Sequence, residues 1–216
     1  MKALVVDVVS DIVCPWCYVG VKSVLAARDA LKDEYDIAVR FRPYQLNPDV
    51  PEAGVDRHAY YAHKFPDAAK LAAAREAIRA NARASGFDFD PAAPEHLPNT
   101  LKAHQLIAAA ASAGVQTEMT LALYEAFWDR LADIGDDETL AAIAEDVGLR
   151  RAEAIDALSR TGPTVAAEAE AWRRAGVSGV PTFIVGERTG FSGGMPPASM
   201  AAALKEAARR NEGTPA

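Results

Sequence analysis

Cys14 and Cys17 are the only cysteines in 216 residues, and Pro15 and Trp16 separate them. Two thiols at this spacing can cycle between dithiol and disulfide, which is the chemistry of thiol–disulfide exchange. The same residue types could bind zinc if His58 and His63 completed a set of four ligands. Forty residues lie between Cys17 and His58, however, against about 12 to 15 in the usual finger spacing. A third reading, two buried thiols with only a packing role, sits poorly with a proline directly after Cys14.

The elements around the pair support the redox reading. Ala3-Leu4-Val5-Val6-Asp7-Val8-Val9 is a β-branched run with the character of a buried strand, and apolar residues recur at helical spacing from Val19 to Leu31. Strand, C-x-x-C and helix follow one another. Pro15 suits the first helical position, where the missing N–H costs nothing, so Cys14 falls at the N-cap. Free N–H groups and the positive end of the helix dipole at that point favour a thiolate, the form that attacks disulfides. Cys17, one turn further in, is placed to resolve the mixed disulfide.

Asp36 to Arg42 predicts a second strand, and Pro43, Asn47, Pro48 and Pro51 then interrupt regular structure. From Val55 to Ala175 the chain is alanine-rich and helical in pattern, with no β-rich stretch. Helices are expected over 68–84, 100–113, 118–131, 137–145, 151–158 and 163–175, with Asn99 and Asp137 as caps of the second and fourth. The β pattern returns at Thr182-Phe183-Ile184-Val185, turns at Gly186-Glu187-Arg188 and continues through Thr189 to Ser192 as a hairpin. Pro196-Pro197 opens a last helix to about Arg210, and 211–216 reads as a frayed tail.

Composition narrows the function classes. The 23 Lys and Arg against 30 Asp and Glu give a net charge of −7, which disfavours binding to nucleic-acid phosphates. No apolar run approaches the roughly 18 residues of a membrane span. The N-terminus has four apolar residues between Lys2 and Asp7, too few for the core of a secretory leader. A cytoplasmic protein is therefore expected, in which a lone cysteine pair is catalytic rather than a structural staple. Partners in nucleic acid or membrane are not expected, no metal or bound cofactor is called for, and nothing in the sequence sets the oligomeric state.

Two early strands and two late ones make an α/β protein with a four-stranded mixed sheet, interrupted by a large all-helical insertion. In detail the chain resembles the DsbA-like thioredoxin family, most closely its FrnE-type branch, which borders on 2-hydroxychromene-2-carboxylate isomerases and kappa-class glutathione transferases. The resemblance is carried by residues 11–20 around Cys14-Pro15-Trp16-Cys17, by Asn99-Thr100 with Ala103-His104, by 133–136, by 176–181 ending in Val180-Pro181, and by Ser192-Gly193-Gly194 with Pro196-Pro197. It implies a thioredoxin-like domain from 1–54 and 176–216 and a helical insertion domain from 55–175.

The family likeness implies Cys14 as the attacking thiol and Cys17 as the resolving one. It implies a substrate edge at Val180 and a cis Pro181, with Pro15, Trp16 and Asn99 in contact with substrate. The expected reaction is exchange with protein or peptide disulfides, with glutathione as a conceivable co-substrate. The alternative is glutathione-dependent isomerisation or transfer on a small molecule, although such relatives usually carry serine at the first motif position. Strongly oxidising relatives have histidine where Trp16 stands, so a less oxidising couple is expected. Each ~1.4 kcal/mol of lost stabilisation of the reduced form moves the potential by roughly 30 mV. Trp16 and Tyr18 are expected to form an apolar rim, Asp11 to lie close enough to relay a proton to Cys17, and His104 to be either packed or turned toward the site. The insertion is expected to fold over the dithiol and to wall a groove with Asn99, His104 and Trp128.

Overall fold

The computed structural model describes residues 1–213. At its centre is β1 (Lys2–Ser10), whose apolar run, broken only by Asp7, leaves Val6, Val8 and Val9 inaccessible to solvent, as a strand covered on both faces requires. Helix α1 (Pro15–Ala30) is the crossover to β2 (Tyr35–Pro43), which lies parallel to β1 from Lys2↔Tyr35 to Ser10↔Pro43. On the other side of β1 the late hairpin docks antiparallel. Here β5 (Thr182–Val185) pairs with β1 and β6 (Thr189–Ser192) forms the edge, in the sheet order β2-β1-β5-β6. The mixed four-stranded sheet is thus as the sequence pattern implies. Gly186 and Glu187 both take positive φ, 58° and 61°, the twist a tight hairpin turn demands.

Between β2 and β5 run β3 (Val55–Asp56), α2 (Arg57–Lys64), α3 (Ala68–Ala84), β4 (His96–Leu97), α4 (Leu101–Ser112), α5 (Gln116–Trp128), α6 (Asp137–Asp146), α7 (Arg151–Arg160) and α8 (Gly162–Arg174). Two features of this stretch depart from expectation. α2 is a helix that the pattern did not announce, started by Asp56, whose carboxylate accepts the Ala59 N–H at 2.7 Å. β3 and β4 form a small antiparallel ladder, so the stretch is not purely helical. Their two residues each, some forty positions apart, leave no local signature.

The helix ends also shift. α5 stops at Trp128 rather than Leu131, because Leu131 adopts a left-handed φ of 56°. Asp136, not Asp137, caps α6 by accepting the Thr139 N–H at 2.8 Å, while Asp137 pairs with Lys102 at 2.8 Å. Thr100 occupies the cap position of α4, although Asn99 Oδ1 does accept the Leu101 N–H at 2.9 Å.

The last helix, α9 (Pro197–Gly213), packs against α1 and runs past Arg210. Asn211 holds it: its Nδ2 donates to the Val185 carbonyl at 2.7 Å and its Oδ1 accepts from Thr189 at 2.6 Å. The expected tail from 211 is therefore helical through Gly213; its remainder, 214–216, lies outside the described residues. One buried apolar cluster runs from the sheet into the helices, including Val8, Phe183, Leu106, Tyr124 and Ile143. No helix among the described residues is long and apolar enough to cross a membrane.

Candidate functional site: a dithiol beside an apolar cavity

Cys14 is the N-cap of α1, in an extended conformation (φ −89°, ψ 112°), with Pro15 as the first helical residue. The Cys17 and Tyr18 N–H groups donate to the Cys14 carbonyl at 3.0 and 3.2 Å, and the Cys14 N–H donates to Asp11 O at 3.1 Å. Both cysteines are free thiols. They differ in access, since Cys14 retains 5% exposure and Cys17 none. Burial pushes the Cys17 thiol well up from its ordinary range, and its hydrogen bond to Cys14 raises it further. The inner sulfur is therefore held protonated beside the outer one.

The Val180-Pro181 bond is cis, and the Cys14 thiol lies 3.6 Å from the Val180 carbonyl. Close packing holds this contact. A Cβ on Gly20 would come within 2.9 Å of Pro181 Cγ, and one on Gly194 within 2.6 Å of the Trp16 carbonyl. Glycine at these two positions lets α1 and the 192–196 loop close around the motif. The Gly193 N–H donates to Pro181 O at 2.9 Å, whereas the Val180 N–H has no hydrogen-bond partner among the described residues.

The loop before Cys14 is fixed from the helical stretch. Tyr124 donates its hydroxyl to Asp11 O at 3.1 Å and Trp128 its indole N–H to Ile12 O at 2.9 Å. Asp11 is fully buried; its Oδ2 accepts the Leu46 N–H at 2.7 Å. His104 is packed rather than turned to the site, with Nε2 at 3.0 Å from Tyr44 O and 3.3 Å from Asp11 Oδ1. Two acceptors around one ring nitrogen assign the proton to Nε2. Tyr18 is not part of a rim. It is buried, stacked on Tyr124 with ring centres 5.2 Å apart, and donates to Asp129 Oδ2 at 2.7 Å.

A cavity of 640 Å³ opens beside Pro15 and Trp16, within the size range of ligand sites. Its walls are mostly apolar: Tyr61 from α2, Leu71 and Ile78 from α3, and Leu46 and Phe65 from the flanking loops. The helical stretch thus does border the dithiol, but through α2 and α3. Trp128 and His104 lie in the core instead of forming walls. Asn99 lines a separate pocket, and its amide is committed to Gln45 Nε2 at 3.0 Å and Val50 O at 2.7 Å. His58 and His63 are exposed, and no group of three or more metal-ligating side chains comes together among the described residues. The sequence signal that could have found the walls is the four-residue spacing of Tyr61 and Phe65, the second standing at the C-terminal cap of α2.

Residues 5–205 match the family described as DSBA-like thioredoxin domain. The chain belongs to the DsbA-like thioredoxin family. It is also 31% identical over 186 residues to the uncharacterized protein YwbO of Bacillus subtilis, covering 84% of this chain and 86% of that one. Among solved structures, the probable DsbA oxidoreductase SCO1869 of Streptomyces coelicolor superposes with a TM-score of 0.84 at 26% identity, over 99% of this chain and 92% of that one. The cytosolic disulfide reductase DsbM of Pseudomonas aeruginosa, solved with GSH, shares the fold at 19% identity, with a TM-score of 0.66 over 95% and 99% of the two chains.

Proposed function

We propose that this DsbA-like protein is a thiol–disulfide oxidoreductase that uses Cys14 and Cys17 on protein or peptide disulfides. The observation that carries the reading is the inequality of the two thiols: Cys14 reaches the surface beside Val180, while Cys17 is inaccessible and held as a thiol. In the first step the Cys14 sulfur attacks one sulfur of the substrate, forming a mixed disulfide and releasing the other substrate sulfur as a thiol. Cys17 then gives up its proton and attacks Cys14, which closes the Cys14–Cys17 disulfide and releases the second substrate thiol. Two electrons pass from protein to substrate; the reverse sequence oxidises a dithiol.

The Val180 N–H, without a partner among the described residues, and the Val180 carbonyl can pair with an extended substrate chain in the manner of an added strand. Pro15 and Trp16 flank that chain. Return of the protein to its dithiol form requires an external thiol, for which we propose glutathione, the compound present with the DsbM neighbour. A lone, paired set of cysteines supports a reducing cytoplasmic setting.

Reduction of insulin disulfides, followed together with non-reducing gels, tests this. Cys14→Ser is expected to abolish turnover. Cys17→Ser is expected to accumulate mixed disulfides with substrate, because only resolution is lost. Turnover by Cys14→Ser equal to that of the natural protein would refute the assignment.

A further inference from the structure

The cavity beside Trp16 carries a charge pattern that packing does not require. Arg57 is 1% exposed, and its two terminal nitrogens donate to backbone carbonyls, of Pro94 at 3.2 Å and Pro91 at 2.8 Å. Its Nε has no partner among the described residues, and its guanidinium lies 4.5 Å from the Tyr61 ring centre. No carboxylate comes within ion-pair distance of it among the described residues; Asp90 acts on it only from further away. Arg75, on the neighbouring helix and half-buried, likewise forms no ion pair among the described residues. The two cations repel each other through the same cavity wall. Lys64 and Lys70 also line it, against one acid, Asp67. An apolar cavity with a surplus of cations stands out in a chain of net charge −7.

A buried guanidinium without a carboxylate costs stability unless something else supplies the negative charge. We propose that the cavity is the subsite for an apolar–acidic stretch of the disulfide substrate. An apolar side chain fills the space between Trp16, Tyr61 and Leu71, and the carboxylate of an adjacent Asp or Glu pairs with Arg75 and offsets the charge of Arg57 behind it. A peptide is the occupant because Val180, whose N–H has no partner among the described residues, meets Cys14 through its carbonyl at 3.6 Å, and the next two residues after Cys14, Pro15 and Trp16, line the cavity. A chain bonded there has its neighbouring side chains within reach of Pro15 and Trp16. This subsite rests on the exchange reading above.

The test uses synthetic peptides with one cysteine disulfide-linked to 2-mercaptoethanol and with Phe-Glu, Phe-Gln, Ser-Glu or Phe-Lys placed at each of four registers beside it. Binding is measured separately with the same peptides carrying serine for cysteine, by tryptophan fluorescence of the full chain. Phe-Glu is expected to bind about tenfold tighter than Phe-Gln in one register, the size of one hydrogen-bonded charge pair, and at least about tenfold tighter than Ser-Glu, the size of one buried apolar side chain. Arg75→Gln is expected to abolish the preference for Glu, and Arg75→Glu to shift it to Phe-Lys. Equal binding of Phe-Glu and Phe-Gln in every register, or an undiminished preference in Arg75→Gln, would overturn the subsite. Failure of the exchange reading looks different: selective binding without reduction of either the peptides or uncharged bis(2-hydroxyethyl) disulfide would leave the subsite standing and remove the redox assignment.

Discussion

Replacing Gly20 by alanine would place a Cβ 2.9 Å from Pro181 Cγ and 3.1 Å from Phe183 Cζ. In an unobstructed helix interior that change stabilises by about 1 kcal/mol. Here the methyl sits about 0.6 Å inside the ~3.5 Å at which carbon contacts become favourable, and neither the proline ring nor the core phenylalanine is a flexible end that can swing away. Overpacking of this kind costs about 1–3 kcal/mol, so the net change is a loss of about 1 kcal/mol. For a chain of this length that lowers Tm by about 2–4 °C. The effect on exchange should be larger. Pro181 moves with Val180, whose carbonyl lies 3.6 Å from the Cys14 thiol, and a displacement of about half an ångström at a reacting centre costs on the order of tenfold in rate. Thermal melts and the rate of reduction of bis(2-hydroxyethyl) disulfide measure the two quantities. Gly162→Ala serves as a control, because its Cβ would meet Gln105 at an ordinary 3.6 Å. A Gly20→Ala protein that is more stable by the full helix increment and exchanges at the natural rate would refute the packing argument.

The two thiols should differ in alkylation: brief iodoacetamide treatment of the reduced protein at neutral pH is expected to give one adduct, on Cys14, by peptide mass analysis, whereas early labelling of Cys17 would contradict its burial and raised titration. Tyr18, Tyr61 and Tyr124 are all pushed up by burial, Tyr18 further by its bond to Asp129. Since an unfolded tyrosine ionises near pH 10, the folded state binds more protons above that pH. Stability is then complete below about pH 10 and falls as pH rises. The phenolate absorbance of these three is expected to appear only with unfolding, and reversible ionisation of all three in the folded protein would contradict it.

Much of this site is written in local sequence. Cys14-Pro15 fixes a helix start because proline has no N–H to lose there, and the valine-rich run from Val5 to Val9, broken only by Asp7, announces a strand covered on both faces. The turn at Gly186-Glu187 follows from the same kind of reading, whereas the part played by Val180-Pro181 came only with the family resemblance. The cavity walls do not. α2, Arg-His-Ala-Tyr-Tyr-Ala-His-Lys, is short and polar in composition, and it is held by Arg57 and two backbone carbonyls from residues 91 and 94. β3 and β4 exist only because each finds the other across forty residues. Tyr18 was legible as aromatic but not as buried, since its partners Phe87, Tyr124 and Asp129 all come from distant segments. Asn99 is a similar case: its side chain is consumed by Gln45, Val50 and Leu101, contacts that no spacing encodes.

Tyr124 and Trp128 donate their side-chain hydrogens to the carbonyls of Asp11 and Ile12, immediately before the dithiol. An addition to a finished fold would leave the parent loop as it found it. In this chain, α5 and the loop are instead one heritable unit: recombination with a junction between β2 and α5 separates two donors from two buried acceptors and leaves the acceptors bare. Drift at positions 124 and 128 is likewise constrained by a loop more than a hundred residues away in sequence. A helical segment of this kind cannot be traded between relatives as a cassette, and a scaffold that carries Cys14-Pro15-Trp16-Cys17 into another protein has to carry α5 with it.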